Sequence, residues 1–110
     1  MKYIKTFETH LKFKEEGELN IKYDNENLII KYIKNSPSDI IIYVDTTDGE
    51  SYIDISTNLR ENPLIDAVWV EYSSTNLEIA KIMVDNNLIE ETDRKTNSGY
   101  NNYLMFNVLF

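Results

Sequence analysis

The sequence predicts an α+β fold: an antiparallel β-meander sheet with one principal helix, at about residues 75–86, packed on one face and a C-terminal strand. Three observations predict it. Short apolar runs alternate with polar residues, turn residues separate those runs, and one later segment has helical periodicity. A length of 110 residues fits a single domain, residues 1–110, with no room for a second core.

The first half of the chain has the pattern of strands separated by turns. A first strand is predicted at Lys2–Phe7. Leu19–Tyr23 alternates apolar and polar residues, Asp24–Asn27 is a turn cluster and Leu28–Ile33 is rich in β-branched residues, which together predict a hairpin. Ile40–Val44 is apolar at every position, so we expect a strand that is buried on both faces or covered by the helix.

A second hairpin is predicted at the Asp48-Gly49 pair, which separates Ile40–Val44 from the strand-like run Tyr52–Ser56. Glycine supplies the positive φ that such a turn needs. Residues 58–66, which include Pro63, predict an irregular connection, and Ala67–Tyr72 predicts the next strand.

The helix is predicted from caps as well as from periodicity. Thr75 and Glu78 have the spacing of a capping box, in which each side chain satisfies an amide of the first turn. Asn86-Asn87 predicts the end of the helix, because asparagine tolerates the left-handed conformation found there. The apolar face of the helix comprises Leu77, Ile79, Ala80, Ile82, Met83 and Val84, and its solvent face comprises Glu78, Lys81 and Asp85.

The segment after the helix predicts turns and then a terminal strand. We expect turns at Thr92–Arg94 and Ser98–Tyr100. Tyr103–Phe110 is apolar on both faces, so the chain end should lie inside the sheet or at a subunit interface. A homodimer formed through this strand is therefore one hypothesis.

Composition argues against most enzyme classes. The chain has no cysteine, so thiolate zinc sites and a cysteine nucleophile are excluded. Its one histidine, His10, is interpreted as a surface residue, and its three glycines do not form a phosphate loop. We expect a protein that is not an enzyme and holds no cofactor or metal. No secretory signal or bilayer-length apolar run is present, which predicts a cytoplasmic protein.

Charge is distributed unevenly along the chain. Residues 1–34 carry seven lysines and six acids, whereas residues 35–110 carry thirteen acids and four basic residues, giving +1 and −9. An acidic body disfavours direct contact with nucleic acid or anionic membranes and favours a protein partner with a basic surface. The candidate partner-binding residues are Asp45, Asp48, Glu50 and Asp54. A merely solvated hairpin tip is the alternative, and the spacing does not fit a calcium loop.

A small-ligand-binding domain is the alternative function. Its pocket would lie between the sheet and the helix, near Arg94, Ser98 and Tyr100. The planar guanidinium of Arg94 suits recognition of an anion. The same side chain could instead bind carbonyls at the helix C-terminus or pair with Glu90 or Glu91.

Residues 40–110 resemble a known family. Gly49–Leu59 (GESYIDISTNL) is similar to the "GEPYxxLTVNL" segment of the domain of unknown function 4313 family. Ile79–Glu90, Thr92–Arg94 and Ser98–Tyr100, with the last strand, match its "N…I…LVENGLIEPTGR" and "SGFxxxPLYxF" segments. Asn87 and Asp93 stand where that family has glycine, and no proline precedes the last strand.

The resemblance implies a similar fold and a setting on bacterial chromosomes, integrative elements or plasmids, and it supplies no mechanism. Combined with the charge, it leads to the hypothesis of a non-catalytic interaction protein associated with a mobile element or phage. One version is a counter-defence protein that mimics nucleic acid and occupies the basic channel of a restriction or CRISPR effector.

Overall fold

A computed structural model describes residues 14–60 and 62–110. The predicted strand Lys2–Phe7 and His10 lie outside the described residues. The helix and strands of the described part are β1 (Glu15–Tyr23), β2 (Glu26–Ser36), β3 (Asp39–Thr46), β4 (Ser51–Asp54), β5 (Ser56–Thr57), β6 (Ala67–Glu71), α1 (Ser74–Asp85), β7 (Ile89–Ser98) and β8 (Asn101–Val108).

The strands form two antiparallel sheets. The first sheet has the order β1-β2-β3-β4, and the second has the order β5-β6-β8-β7. The predicted α+β class, with antiparallel strands and one principal helix, is confirmed. The expected single meander is found only in the first sheet, because the chain leaves that sheet after β4 and builds a second one.

The chain changes sheets at Ile55, which is fully buried between β4 and β5. The amide of Ile55 donates to the carbonyl of Ile42 on β3 at 2.9 Å, and the amide of Ile42 donates to the hydroxyl of Ser56 at 2.9 Å. Ser56 also lies opposite Val70 in the second sheet. One short segment therefore joins both sheets.

The two predicted hairpins are confirmed, with tighter turns than expected. Asp24 and Asn25 have φ values of 53° and 63°, and β2 already begins at Glu26. Two central residues with positive φ are typical of a type I′ turn, whose twist matches that of the two strands it joins. Gly49, between β3 and β4, has a φ of 90°, which is the positive φ that the sequence predicts for this glycine.

Strand β3 is buried on one face only, so burial on both faces, one of the two expected arrangements, is wrong. Its buried face shares the core with α1. Ile42 and Val44 are fully buried, whereas Ile41 is 43% exposed and Tyr43 is half-buried. Successive side chains of a strand point to opposite faces, and only one face of the first sheet meets the core. The apolar residues at alternate positions are therefore left on an outer face.

One hydrophobic core joins both sheets and the helix. Leu28, Ile30, Ile42 and Val44 come from the first sheet, and α1 adds Ile79, Ala80 and Met83. The second sheet contributes Val68, Val70, Ile89, Leu104, Phe106 and Val108. This shared layer holds both sheets and the helix together.

A smaller cluster lies on the opposite face of the second sheet. Trp69 and Met105 are buried there beneath the irregular connection, which contributes Leu59 and Leu64. The indole Nε1 of Trp69 donates to the carbonyl of Asn62 at 2.9 Å. Both faces of β8 are therefore covered, which explains why Tyr103–Phe106 is apolar at four successive positions.

The helix begins one residue earlier than predicted and uses a different cap. Ser73 is the N-cap, and its hydroxyl accepts from the amide of Asn76 at 3.4 Å. The predicted capping box of Thr75 and Glu78 is wrong, because Thr75 lies inside the helix. Glu78 instead accepts a hydrogen bond from the hydroxyl of Tyr23 on β1.

The predicted end of the helix is confirmed. Asn86 is the C-cap and Asn87 has a φ of 61°. The amide of Leu88 donates to the carbonyl of Met83, and that of Asn87 donates to the carbonyl of Val84, both at 3.0 Å. This is the Schellman pattern, and asparagine takes the position that glycine usually occupies.

Residues Ile89–Ser98 form strand β7, where the sequence predicted turns at Thr92–Arg94 and Ser98–Tyr100. The first predicted turn is an irregularity within the strand, between Glu91 and Lys95, and only the second lies at a chain reversal. The hydroxyl of Thr92 donates to the carbonyl of Met105 at 2.6 Å and accepts from the amide of Arg94. A bulge that is anchored in this way keeps the strand in the sheet.

The last strand and the residues after it are fixed to both sheets. Strand β8 is hydrogen-bonded to β6 on one edge and to β7 on the other, so it lies inside the second sheet. Phe110 packs against Tyr32 of the first sheet with ring centroids 4.5 Å apart. Lys34 donates to the main-chain oxygen of Phe110 at 3.0 Å and pairs with Asp66 at 2.8 Å. Both backbone edges of β8 are thus occupied.

The contact between Tyr23 and Glu78 predicts a dependence of stability on alkaline pH. The Glu78 carboxylate accepts the Tyr23 hydroxyl proton, which raises the pKa of Tyr23 above its ordinary value. A raised pKa contributes stability below the ordinary value of 10.0, and that stability is lost as pH rises through the pKa of the folded state. Urea unfolding measures the free energy of unfolding at pH 8 and at pH 10.5. The decrease between these two pH values should be smaller for Tyr23→Phe than for the wild type. Tyr100→Phe, at a fully exposed position, should behave like the wild type.

Candidate functional site

The hairpin of β3 and β4 carries negative charge only. Residues 39–54 contain no lysine, arginine or histidine. Their five acids are Asp39, Asp45, Asp48, Glu50 and Asp54. The four acids predicted as partner-binding residues therefore belong to one structural unit, but their environments differ.

Asp45 has a structural role in the first sheet. Its side chain is only 15% exposed and lies 3.3 Å from the ammonium of Lys31 on β2. A hydrogen bond from Lys31 to this carboxylate raises the pKa of Lys31. The charge of Asp45 is thus largely neutralised by Lys31. Asp45 therefore contributes less than the other acids of the hairpin to the electrostatic field that a partner would meet.

Asp48, Glu50 and Asp54 are exposed. None of the three makes an ion pair with another described residue. Asp48 and Glu50 flank Gly49 at the tip of the hairpin, and Asp54 ends β4 at the edge of the first sheet. These three carboxylates are the part of the predicted site that is available to a partner.

The outer face of the first sheet continues from these acids. Glu18, Lys31, Tyr43 and Asp54 are successive cross-strand neighbours on β1, β2, β3 and β4, so they form one row across that face. The adjoining row places Ile33 of β2 opposite the exposed Ile41 of β3, and a shallow concavity of about 380 Å³ lies over Ile33, Tyr43 and Lys31. We call the exposed surface of Ile33, Ile41, Tyr43, Asp54 and the hairpin tip the acidic face.

The geometry does not bring together a metal centre among the residues that the structure describes. No group of three or more histidine, aspartate or glutamate side chains there is close enough to hold an ion. The acids of the hairpin are spread along two strands and a turn instead. Their arrangement suits contact with a broad cationic surface more than coordination of one ion.

The residues predicted to bind a small ligand are placed away from any concavity between sheet and helix. Arg94 is exposed in the β7 bulge, and its side chain forms no hydrogen bond or ion pair within residues 14–60 and 62–110. Ser98 ends β7, and Tyr100 is fully exposed in the following turn. Ser98 and Tyr100 lie at the turn of the β7–β8 hairpin, whereas Arg94 lies in the middle of β7, so the structure does not bring the three together.

Two adjoining grooves do lie on the helix side of the second sheet, and they share Tyr72. One has a volume of about 220 Å³ and runs between α1 and strands β7 and β8; it is lined by Tyr72, Leu77, Lys81, Val84, Glu91, Leu104 and Phe106. The other has a volume of about 380 Å³ and lies beyond the start of the helix; it is lined by Tyr72, Lys95, Thr96, Asn97, Asn102 and Tyr103. We call the two together the helix groove.

Sequence reasoning missed the helix groove for identifiable reasons. The helical pattern places Lys81 on the solvent face of the helix, and Lys95 lies in a strand that the sequence does not predict. Residues 89–98 contain one apolar residue, Ile89, so they carry no strand periodicity. No local pattern could have placed these two lysines near Tyr72.

Comparison of the chain with protein-family models, curated proteins and solved structures finds no match. The resemblance to the domain of unknown function 4313 family therefore stays a prediction. In the described part of the chain no helix is long and apolar enough to cross a membrane.

Proposed function

We propose that this chain is a non-catalytic interaction domain that binds a basic surface of a partner protein through the acidic face. The observation that carries the proposal is the row in which half-buried Tyr43 lies beside exposed Asp54, next to Ile41 at 43% exposure. Aromatic and aliphatic side chains surrounded by unpaired charge are typical of a protein interface, with an apolar centre and a polar rim.

The chemistry of the partner follows from this surface. Three unpaired carboxylates on a hairpin with no basic residue attract lysine and arginine over a long range and accelerate encounter. Ile41 and Tyr43 would then supply the apolar contacts that slow dissociation. Basic surfaces of this kind are commonest on proteins that bind nucleic acid, where they neutralise phosphates.

The counter-defence hypothesis is the most specific form of this proposal. An acidic domain that occupies the nucleic-acid channel of a defence effector would compete directly with DNA or RNA. What supports it is the negative charge of residues 35–110, and its association with a mobile element rests on the family resemblance alone. Displacement of a captured partner by added duplex DNA would support this form over other basic partners.

Capture from a lysate of the organism that encodes the chain tests the proposal when three immobilised baits are compared. The baits are the wild type, a hairpin variant with Asp48→Lys, Glu50→Lys and Asp54→Lys, and a control variant with Asp85→Lys, Glu90→Lys and Asp93→Lys. All six positions are exposed, and both variants change the net charge equally.

We expect the same protein to be retained by the wild type and by the control variant, to be lost from the hairpin variant, and to be released at high salt. If the protein is lost equally from both variants, only net charge matters and the assignment to the acidic face is wrong. Retention by both variants would show that the acidic face is not used. Circular dichroism should confirm that both variants keep the wild-type fold.

A further inference from the structure

The helix groove combines an apolar floor with cations, which is unusual in this acidic chain. Leu104 and Phe106 of β8 form part of the floor, and Leu77 and Val84 of α1 form part of one wall. Tyr72 is 56% exposed where the two halves meet. An aromatic ring where the apolar half of the groove meets the more polar half provides a surface on which a flat ligand can stack.

The positive charge of residues 35–110 is concentrated around this groove. That segment has only four basic residues, and two of them, Lys81 and Lys95, line the groove, one in each half. Neither lysine forms an ion pair with another described residue. Glu91 is the one acid in the lining, so the groove has a net charge of +1 in a chain of net charge −8.

Polar groups at the far end of the groove are arranged to orient a ligand. The side-chain amide of Asn97 donates to the side-chain oxygen of Asn102 at 2.8 Å. Asn97 of β7 and Asn102 of β8 are cross-strand partners on the face that also carries Lys95 and Leu104. This hydrogen bond holds both amides in place, which leaves one donor hydrogen on Asn97 and two on Asn102 for a ligand.

We propose that the helix groove binds a small amphiphilic anion, with its apolar body over Leu104, Phe106 and Tyr72 and its acidic group beside Lys81 or Lys95. The half of about 380 Å³ is in the range of pockets that hold small organic molecules, and the half of about 220 Å³ adjoins it at Tyr72. The groove lies in the second sheet and the acidic face in the first, so this site is independent of the proposed protein interaction.

Two matched fluorescent probes test the groove. Anilinonaphthalene sulfonate has a flat apolar body and a sulfonate, and N-phenylnaphthylamine has the same body without the charge. We expect the sulfonate to bind at one site and more tightly than the neutral probe. Backbone amide shifts in a titration of isotopically labelled protein should be largest within residues 77–84, 91–97 and 102–106.

Charge variants identify the part of the groove that recognises the anion. Lys81→Gln with Lys95→Gln should weaken sulfonate binding about two- to fivefold and leave the neutral probe unchanged, since the one sulfonate pairs with one of the two lysines and an exposed ion pair contributes up to about 1 kcal/mol. Glu91→Gln should tighten sulfonate binding. Lys22→Gln with Arg60→Gln removes the same net charge outside the groove and should leave binding unchanged.

The proposal is overturned if the two control substitutions weaken sulfonate binding as much as the two groove substitutions do. It is also overturned if both probes bind equally, or if the amide shifts lie in the first sheet. Thermal unfolding of each variant should match that of the wild type, because all the substituted side chains are exposed. A change in probe binding can then be attributed to the groove.

Discussion

Replacing Phe106 with alanine is expected to lower the free energy of unfolding by about 3–5 kcal/mol. Phe106 is only 3% exposed and lies on β8, the strand at the centre of the second sheet. Its side chain belongs to the core that α1 and both sheets share. The lost stability has two parts. One is the burial free energy of the aromatic ring that is removed, and the other is the cost of the cavity it leaves, which the surrounding elements cannot fill without moving.

Urea unfolding followed by the fluorescence of Trp69 measures this change, because Trp69 is the one tryptophan and is 5% exposed. Leu109→Ala is the matched control: it lies three residues further on, is 52% exposed, and should change stability by less than about 0.5 kcal/mol. Similar losses for the two variants would mean that Phe106 is not part of the shared core.

The second large effect concerns binding. Reversing Asp48, Glu50 and Asp54 to lysine should weaken binding to the captured protein by about 2 kcal/mol, or roughly thirtyfold. Each reversal removes an attraction and adds a repulsion, and exposed charge pairs contribute up to about 1 kcal/mol each. The change should lie mainly in the association rate and should shrink as salt is raised, because these carboxylates form the rim of the surface.

The control reversal of Asp85, Glu90 and Asp93 should weaken binding by threefold or less. Surface plasmon resonance at two salt concentrations distinguishes the two variants. A hairpin variant that keeps its association rate but dissociates faster would indicate that these carboxylates are buried in the contact, not at its rim. That outcome would contradict the steering role assigned to them.

Local sequence signals predicted most of the fold. The Asp24–Asn25 and Gly49 turns, the helix and its end at Asn87 all follow from short-range chemistry, in which a few residues determine the backbone path. The one-sided burial of β3 did not follow, because an unbroken apolar run does not reveal whether its second face is covered. Ile41 is apolar and exposed because it lies on the outer face of the first sheet, and only the assembled sheet shows that this face is uncovered.

Long-range pairing explains the remaining misses. The segment that contains Arg94 is a strand because β8 offers it a free edge, and its own residues carry no such pattern. The sequence predicted four equivalent acids on the hairpin, whereas Lys31, which lies on another strand, neutralises Asp45 and leaves three. The acidic face and the helix groove are built from residues far apart in sequence, so neither could be assembled from local motifs.

Photo-crosslinking from the acidic face tests the central claim most directly, because it captures a bound partner whatever that partner is. Benzoylphenylalanine is placed at Tyr43, in the middle of the outer face, or at fully exposed Tyr100 in the turn between β7 and β8, and the protein is irradiated in the cells that encode it. We expect a discrete adduct from position 43 and none from position 100. An adduct of equal or greater yield from position 100 would contradict the assignment of the partner-binding surface to the first sheet.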